Sequence, residues 1–143
     1  MSPAALTLKR TKVENMIEFF ENCIIPTTTA QQRRQTSSGG YLPPAARKAK
    51  AFWQAFFEKH APSEPESGPL SLIITFTFRP GKRKTASKYK MTRPDLDNLL
   101  KLVQDAMTKC GYWNDDSQVV ILSASKCYGD VPGVYVNLQK VLG

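Results

Sequence analysis

The sequence predicts a small α/β (α+β) fold in a single domain, with elements in the order β-α-β-α-β-β. Three observations carry this. Leu70 to Phe78 is rich in β-branched and aromatic residues and ends in the alternating Thr75-Phe76-Thr77-Phe78, as a strand does. Asp97 to Cys110 sets Leu99, Leu100, Val103, Ala106, Met107 and Cys110 at three-to-four spacing, an amphipathic helix, with Gly111 where a left-handed cap belongs. Gln118 to Tyr128 reads as a second strand, and beyond the turn Gly129-Asp130-Val131-Pro132-Gly133 the alternation of Val134, Val136 and Leu138 returns the chain as far as Val141.

The other elements follow in order. Residues 1–12 read as a flexible polar tail, and 13–143 as the folded domain. Val13 to Ile25 mixes apolar and acidic residues and predicts a strand, broken near Glu21-Asn22 and ended by Pro26-Thr27-Thr28-Thr29. Gln31 to Pro44, with Ser37-Ser38-Gly39-Gly40 and two prolines, predicts a flexible loop. Pro44 to His60 predicts a helix with Phe52, Phe56 and the stem of Lys59 on one side and Trp53 and Phe57 beside them. Ala61 to Pro69 is a linker by composition, and Gly81 to Met91 a basic loop without helical or strand period.

A chain of 143 residues suits one compact domain, and 41% hydrophobic with 22% charged residues is ordinary for a soluble protein. No apolar run approaches the roughly 20 residues of a membrane span. The N-terminal residues lack the apolar core of a signal peptide, so no secretion is expected. Cys23, Cys110 and Cys127 are odd in number, far apart and without CxxC spacing, which fits a reducing cytosol better than a disulfide framework or zinc site.

The net charge of +8 is segregated. Arg79 to Arg93 carries seven basic residues and no acid, and Gln31 to Lys50 five more, again with no acid. Such patches attract polyanions and release their counterions. A solvated basic surface near an anionic membrane is the plainer alternative.

Immediately after the basic run comes Arg93-Pro94-Asp95-Leu96-Asp97-Asn98-Leu99-Leu100-Lys101, and beyond the helix Gly111-Tyr112-Trp113-Asn114-Asp115-Asp116. Four carboxylates and a lysine thus surround one helix beside a phosphate-attracting surface, which points to a divalent ion between acids and phosphate. Capping a helix N-terminus explains one of Asp95 and Asp97 well and both poorly. Residues two apart in a helix point to different sides, so a shared ion requires extended backbone at Asp95, and Pro94 discourages helix just before it. Magnesium suits such a place, needing only one or two carboxylates with waters and phosphate oxygens. Lys101, one turn after Asp97, is either an ordinary helix ion-pair partner or a cation for charge developing on a phosphate.

Asp115 and Asp116 are either turn formers or, for a strand-initial aspartate, part of the metal site. A helix from Asp97 to Cys110 spans about 21 Å, so Asp116 starts near its wrong end. Either the turn folds back sharply or a second subunit completes the site, and two antiparallel helices about a two-fold axis achieve the latter. Tyr112 and Trp113 either stack on bases or anchor the core. His60, the only histidine, reads as a helix-end residue rather than a catalyst, and Ser38-Gly39-Gly40 is too short for a phosphate loop.

The run RPDLDNLLKLVQDAMTKCGYWNDDSQVV resembles the signature of the RusA-type Holliday junction resolvases, the crossover-junction endodeoxyribonucleases. It shares an Asp-Leu-Asp-Asn-Leu-x-Lys helix start, an Asp-Ala-Met helix centre and an aromatic-Trp-x-Asp-Asp-x-Gln-Val turn. The resemblance implies a small mixed sheet flanked by two helices, and a homodimer that binds four-way DNA junctions and cuts two opposed strands with magnesium or manganese. It implies Asp95, Asp97 and Asp116 as metal-binding catalytic carboxylates and Lys101 as the catalytic lysine. Outside Arg93 to Val120 it fades, and Ile25-Pro26-Thr27-Thr28-Thr29 only loosely follows the family's proline-rich turn.

The expectation is therefore a metal-dependent endodeoxyribonuclease acting on branched DNA. Arg33, Arg34, Lys82, Arg83, Lys84, Lys88 and Lys90 are expected to grip phosphates without reading bases. The alternatives are a non-catalytic branched-DNA-binding module and a nuclease of broader substrate range.

Overall fold

In the computed structural model, residues 8–13, 16–29, 34–36, 39–82 and 87–142 are described, those at 8–13, 34–36 and 39–41 by backbone alone. Among the described residues, seven strands and two α-helices run in the order β1 (Leu8–Val13), β2 (Met16–Asn22), β3 (Arg34–Thr36), β4 (Gly39–Tyr41), α1 (Pro44–Glu58), β5 (Leu70–Phe78), α2 (Leu96–Lys109), β6 (Val119–Tyr128) and β7 (Gly133–Lys140). Five strands form one sheet in the order β1-β2-β7-β5-β6. It is mixed: β5 pairs with β6 in parallel across the α2 crossover, and the other neighbours are antiparallel.

The long elements follow the sequence pattern because local period and burial agree. Along β5, Leu70, Leu72, Ile74, Phe76 and Phe78 are buried and the residues between them are not, the period of two a half-buried strand requires. These five join Trp53, Phe56 and Phe57 of α1 and Leu99, Leu102, Val103, Ala106 and Met107 of α2 in one core. Both helices therefore flank the sheet on the same face. On α2, Leu102 takes the buried position, while Leu100 and Cys110 are only partly covered. On α1, Lys59 is exposed and turns to Glu21, 3.3 Å away, instead of lying on the apolar face.

Two regions differ from the sequence expectation. Within the expected tail, Leu8–Val13 forms the edge strand β1 against β2, while residues 1–7 lie outside the described residues. Within the expected loop, β3 and β4 form a short hairpin, whose tip at 37–38 is likewise outside them. Polar composition hides both, because edge pairing draws on backbone hydrogen bonds and needs no apolar period. No described helix is long and apolar enough to cross a membrane.

Candidate active site

Asp95 is the residue before α2, extended at φ −70°, ψ 139°, and its side chain makes no capping hydrogen bond. Its carbonyl accepts the first helical bond, from Leu99 N–H at 3.1 Å. Capping thus fails as an account of this carboxylate, and the extended lead-in required for a shared ion is present. Asp97 lies in the first turn, where its charge complements the helix dipole. Both carboxylates are exposed, and no ion pair joins either to a described cation. Lys101, one turn on, is also exposed and makes no 4 Å pair with Asp97.

The Arg93–Pro94 peptide bond is cis. The ammonium of Lys126 on β6 donates to two carbonyls of this lead-in, Thr92 O at 2.8 Å and Pro94 O at 2.7 Å. Thr92 does not cap the helix; its hydroxyl accepts from Lys90 Nζ at 2.8 Å. Thr27, Thr28, Thr29, Arg93, Pro94, Asp95 and Asn98 line a cleft of about 380 Å³. The polar turn after β2 is therefore brought to the acidic helix start, across nearly seventy residues of sequence.

The far end of α2 carries the other acids. Tyr112 and Trp113 are buried, which decides for the core-anchor alternative. Tyr112 donates its hydroxyl to Phe57 O at 2.6 Å, and Trp113 Nε1 donates to Thr108 Oγ1 at 2.8 Å. Asp115 caps a single 3-10 turn, Asp116–Gln118, by accepting from Ser117 N–H at 2.9 Å. Gln118 closes the box: its Oε1 accepts from Asn114 and Asp115 N–H, and its Nε2 donates to Glu66 O and Gly68 O, both at 3.0 Å. The glutamine two positions after the aspartate pair is thus a latch between this turn and the segment leading into β5.

The latch sorts the two aspartates. Hydrogen bonds from Ser117 hold the Asp115 carboxyl below its usual range, as suits a cap. At Asp116, desolvation and then the neighbouring Asp115 and Asp105 push the carboxyl up. It lines a second cleft, of about 340 Å³, with Lys50, Asp105, Thr108, Lys109, Asn114 and Asp115. Asp95 and Asp97 both stand at the N-terminal end of α2, Asp95 lining the first cleft, and Asp116 lies at the opposite end of the helix. Among the described residues no three metal-ligating side chains converge within the chain.

Of the basic residues, Lys82 and Lys88 are exposed, and Lys88 lies 5.9 Å from the Tyr89 ring centroid. Lys90 is half-buried, its ammonium 5.2 Å from the Phe78 ring centroid and 5.5 Å from that of Tyr128. Arg33, Arg83 and Lys84 lie outside the described residues, and Arg34 is described by its backbone in β3. His60 is structural: it stacks on Phe19 at 4.0 Å, and its Nε2 lies 2.9 Å from Glu21 Oε1. Sequence reasoning passed over Lys126, a lone lysine in a strand with no local pattern to mark it.

The family model described as endodeoxyribonuclease RusA matches residues 24–139. A crossover junction endodeoxyribonuclease rusA of Lactococcus phage r1t is 39% identical over 85 residues, 58% of this chain and 65% of the relative, so the chain spans just under two thirds of that protein's length. The uncharacterized protein YqaN of Bacillus subtilis (strain 168) is 31% identical over 111 residues, 69% of this chain and 77% of the relative. The crossover junction endodeoxyribonuclease RusA of Escherichia coli (strain K12) is 64% identical over 28 residues, 20% of this chain and 23% of the relative. The matched region contains both clefts and the helix between them, and the chain belongs to the RusA endodeoxyribonuclease family.

Proposed function

We propose that this protein is a divalent-metal-dependent endodeoxyribonuclease that resolves four-way DNA junctions by paired, symmetrical phosphodiester hydrolysis in recombination and repair. The observation that carries the proposal is Asp95: an exposed carboxylate before α2, extended and free of the capping role, beside Asp97 and next to a basic segment. The names of the phage and E. coli relatives, crossover junction endodeoxyribonucleases, support the same substrate.

The donor set fits a hard cation, since carboxylate oxygens in an open cleft suit magnesium, with manganese as the alternative. Asp95, Asp97 and Asp116 are the residues that would hold it. Such an ion, when bound, supplies Lewis acidity toward an attacking water and the leaving oxygen. Lys101 projects its ammonium on the face of Asp97 and stabilises charge on the scissile phosphate. Lys82 and Lys88, with the basic residues at 33, 34, 83 and 84, hold flanking phosphates, and Lys90 braces the loop as well as adding charge.

The site spans two chains of a homodimer in this reading. One support is that the acids stand at opposite ends of α2. A second is the exposed stripe Asp97, Lys101, Asp105 and Lys109, at four-residue spacing. Against an antiparallel copy of itself, this stripe sets each aspartate opposite a lysine. A third is the outer edge of β6, where Val120, Ile121 and Leu122 are 59%, 52% and 44% exposed. Two active sites about a dyad suit a four-way junction, because the paired cuts must be symmetrical to leave ligatable duplexes.

The test is cleavage of a labelled synthetic four-way junction with magnesium, manganese or EDTA, with Asp97→Asn alongside. Paired nicks that require both metal and Asp97, with junction binding retained in the variant, are expected. Tight binding without metal-dependent nicking would reduce the protein to a branched-DNA-binding module. Equal cleavage of linear duplex or RNA would make it a nuclease of broader range.

A further inference from the structure

We propose that Lys126 is a positioning residue for the acidic lead-in of α2, a role that rests on the metal-dependent reading above. Lys126 lies on β6 opposite Phe76 of β5, on a different element from every acid of the site. It grips the lead-in twice over. Its backbone carbonyl accepts from Lys90 N–H at 3.0 Å, while its ammonium donates to Thr92 O at 2.8 Å and Pro94 O at 2.7 Å. The segment from Lys90 to Pro94 is thus tied to the sheet at three points by one residue.

A cation is the wrong charge for this place on stability grounds alone. The N-terminal end of a helix carries partial positive charge and favours acids, so a lysine brought there is held at some local cost. Its two charge-assisted hydrogen bonds to carbonyls offset that cost, and they do so by fixing the lead-in rather than by packing. The two carbonyls that Lys126 takes up flank Arg93 and immediately precede Asp95, so the backbone entering Asp95 is fixed in direction. Asp95 then stays extended, with its carboxylate making no capping hydrogen bond to the helix. Lys126 makes no 4 Å ion pair with either aspartate, so it acts through the backbone. Partners of this kind, behind metal-binding carboxylates, change metal affinity by about 10- to 100-fold when removed.

The test compares full-length Lys126→Met, which keeps the stem and loses the donors, with Lys126→Arg, which keeps donors. Two readouts are taken: manganese binding by calorimetry, and amide hydrogen exchange across Asp95–Lys101 without metal. Lys126→Met is expected to weaken manganese binding by about tenfold or more, and to speed exchange in this segment while the β5 and β7 amides stay protected. Lys126→Arg is expected to recover most of both. Unchanged affinity and exchange in Lys126→Met overturns the role, as does faster exchange throughout the protein, which would mean a general stabilising contact. Absence of manganese binding by the wild type would instead remove the metal-dependent reading; in that case unchanged exchange still overturns the positioning role, and local loosening still supports it.

Discussion

Asp97 and Asp116 are separated by the length of α2, 14 residues and about 21 Å of helix, with Asp97 in its first turn and Asp116 beyond its last. In the proposed reading, a metal site using both is shared between two chains. Mixing Asp97→Asn and Asp116→Asn subunits distinguishes the two arrangements. In a shared site, each mixed dimer carries one site with both substitutions and one with neither, so nicking activity returns on mixing two inactive proteins. In a site confined to one chain, every site stays damaged and mixing restores nothing.

The environment of Asp116 sets a pH dependence. Desolvation, then the hydrogen bond and charge of Asp115, then the charge of Asp105, raise its carboxyl above the usual aspartate range. A raised carboxyl needs a higher pH to ionise, and only the ionised form binds a divalent ion. Manganese binding should therefore fall away on acidification at a pH above that for an ordinary aspartate. Asp105→Asn removes one of the raising charges and should shift this acid limb to lower pH, as read by calorimetry across a pH series.

Gln118 should behave as a structural latch whose loss reaches the site indirectly. Its side chain accepts two N–H groups and donates to two carbonyls. Gln118→Ala should cost about 1–2 kcal/mol in denaturant unfolding. It should also raise the magnesium concentration needed for cleavage, because the turn presenting Asp116 is untied from the lead into β5.

Gly133 sits where β7 passes close to β2. A Cβ there would lie 2.4 Å from Glu21 O and 2.6 Å from the Phe20 ring. Gly133→Ala must push β7 from β2 at the end of their ladder, costing about 1–3 kcal/mol. A drop in the denaturation midpoint checks this, with the other small-residue exchange at the exposed Gly81 as control, where the added Cβ meets nothing within 4 Å.

Cys23 offers a reactivity test. Burial, helped by the charge of Glu21, pushes its thiol up to about 12. Since the thiolate is the reacting form, iodoacetamide at pH 8 should leave Cys23 unlabelled in the native protein and label it after unfolding. Native labelling as fast as in the unfolded chain would mean that the end of β2 opens readily.

By itself the sequence determined the long elements and the family signature around α2. β5, α2 and β7 were legible to within a residue or two because their apolar periods coincide with the faces that are buried, so local pattern and tertiary packing ask for the same residues. β6 was legible from its run of β-strand formers, although its apolar residues Val120, Ile121 and Leu122 stay exposed. The acidic pairs, their spacing about one helix and the need for extended backbone at Asp95 could be read for the same reason: they depend on geometry over a few residues. Tertiary structure alone decided which long-range partners those residues meet. It set Thr27 to Thr29 beside Asp95, made Gln118 a bridge to Glu66 and Gly68, gave Lys126 the carbonyls of Thr92 and Pro94, placed both helices on one face, and made an edge strand of Leu8–Val13. Each of these rests on backbone groups or lone side chains meeting across distant sequence, and such contacts leave no periodic trace in the chain that makes them.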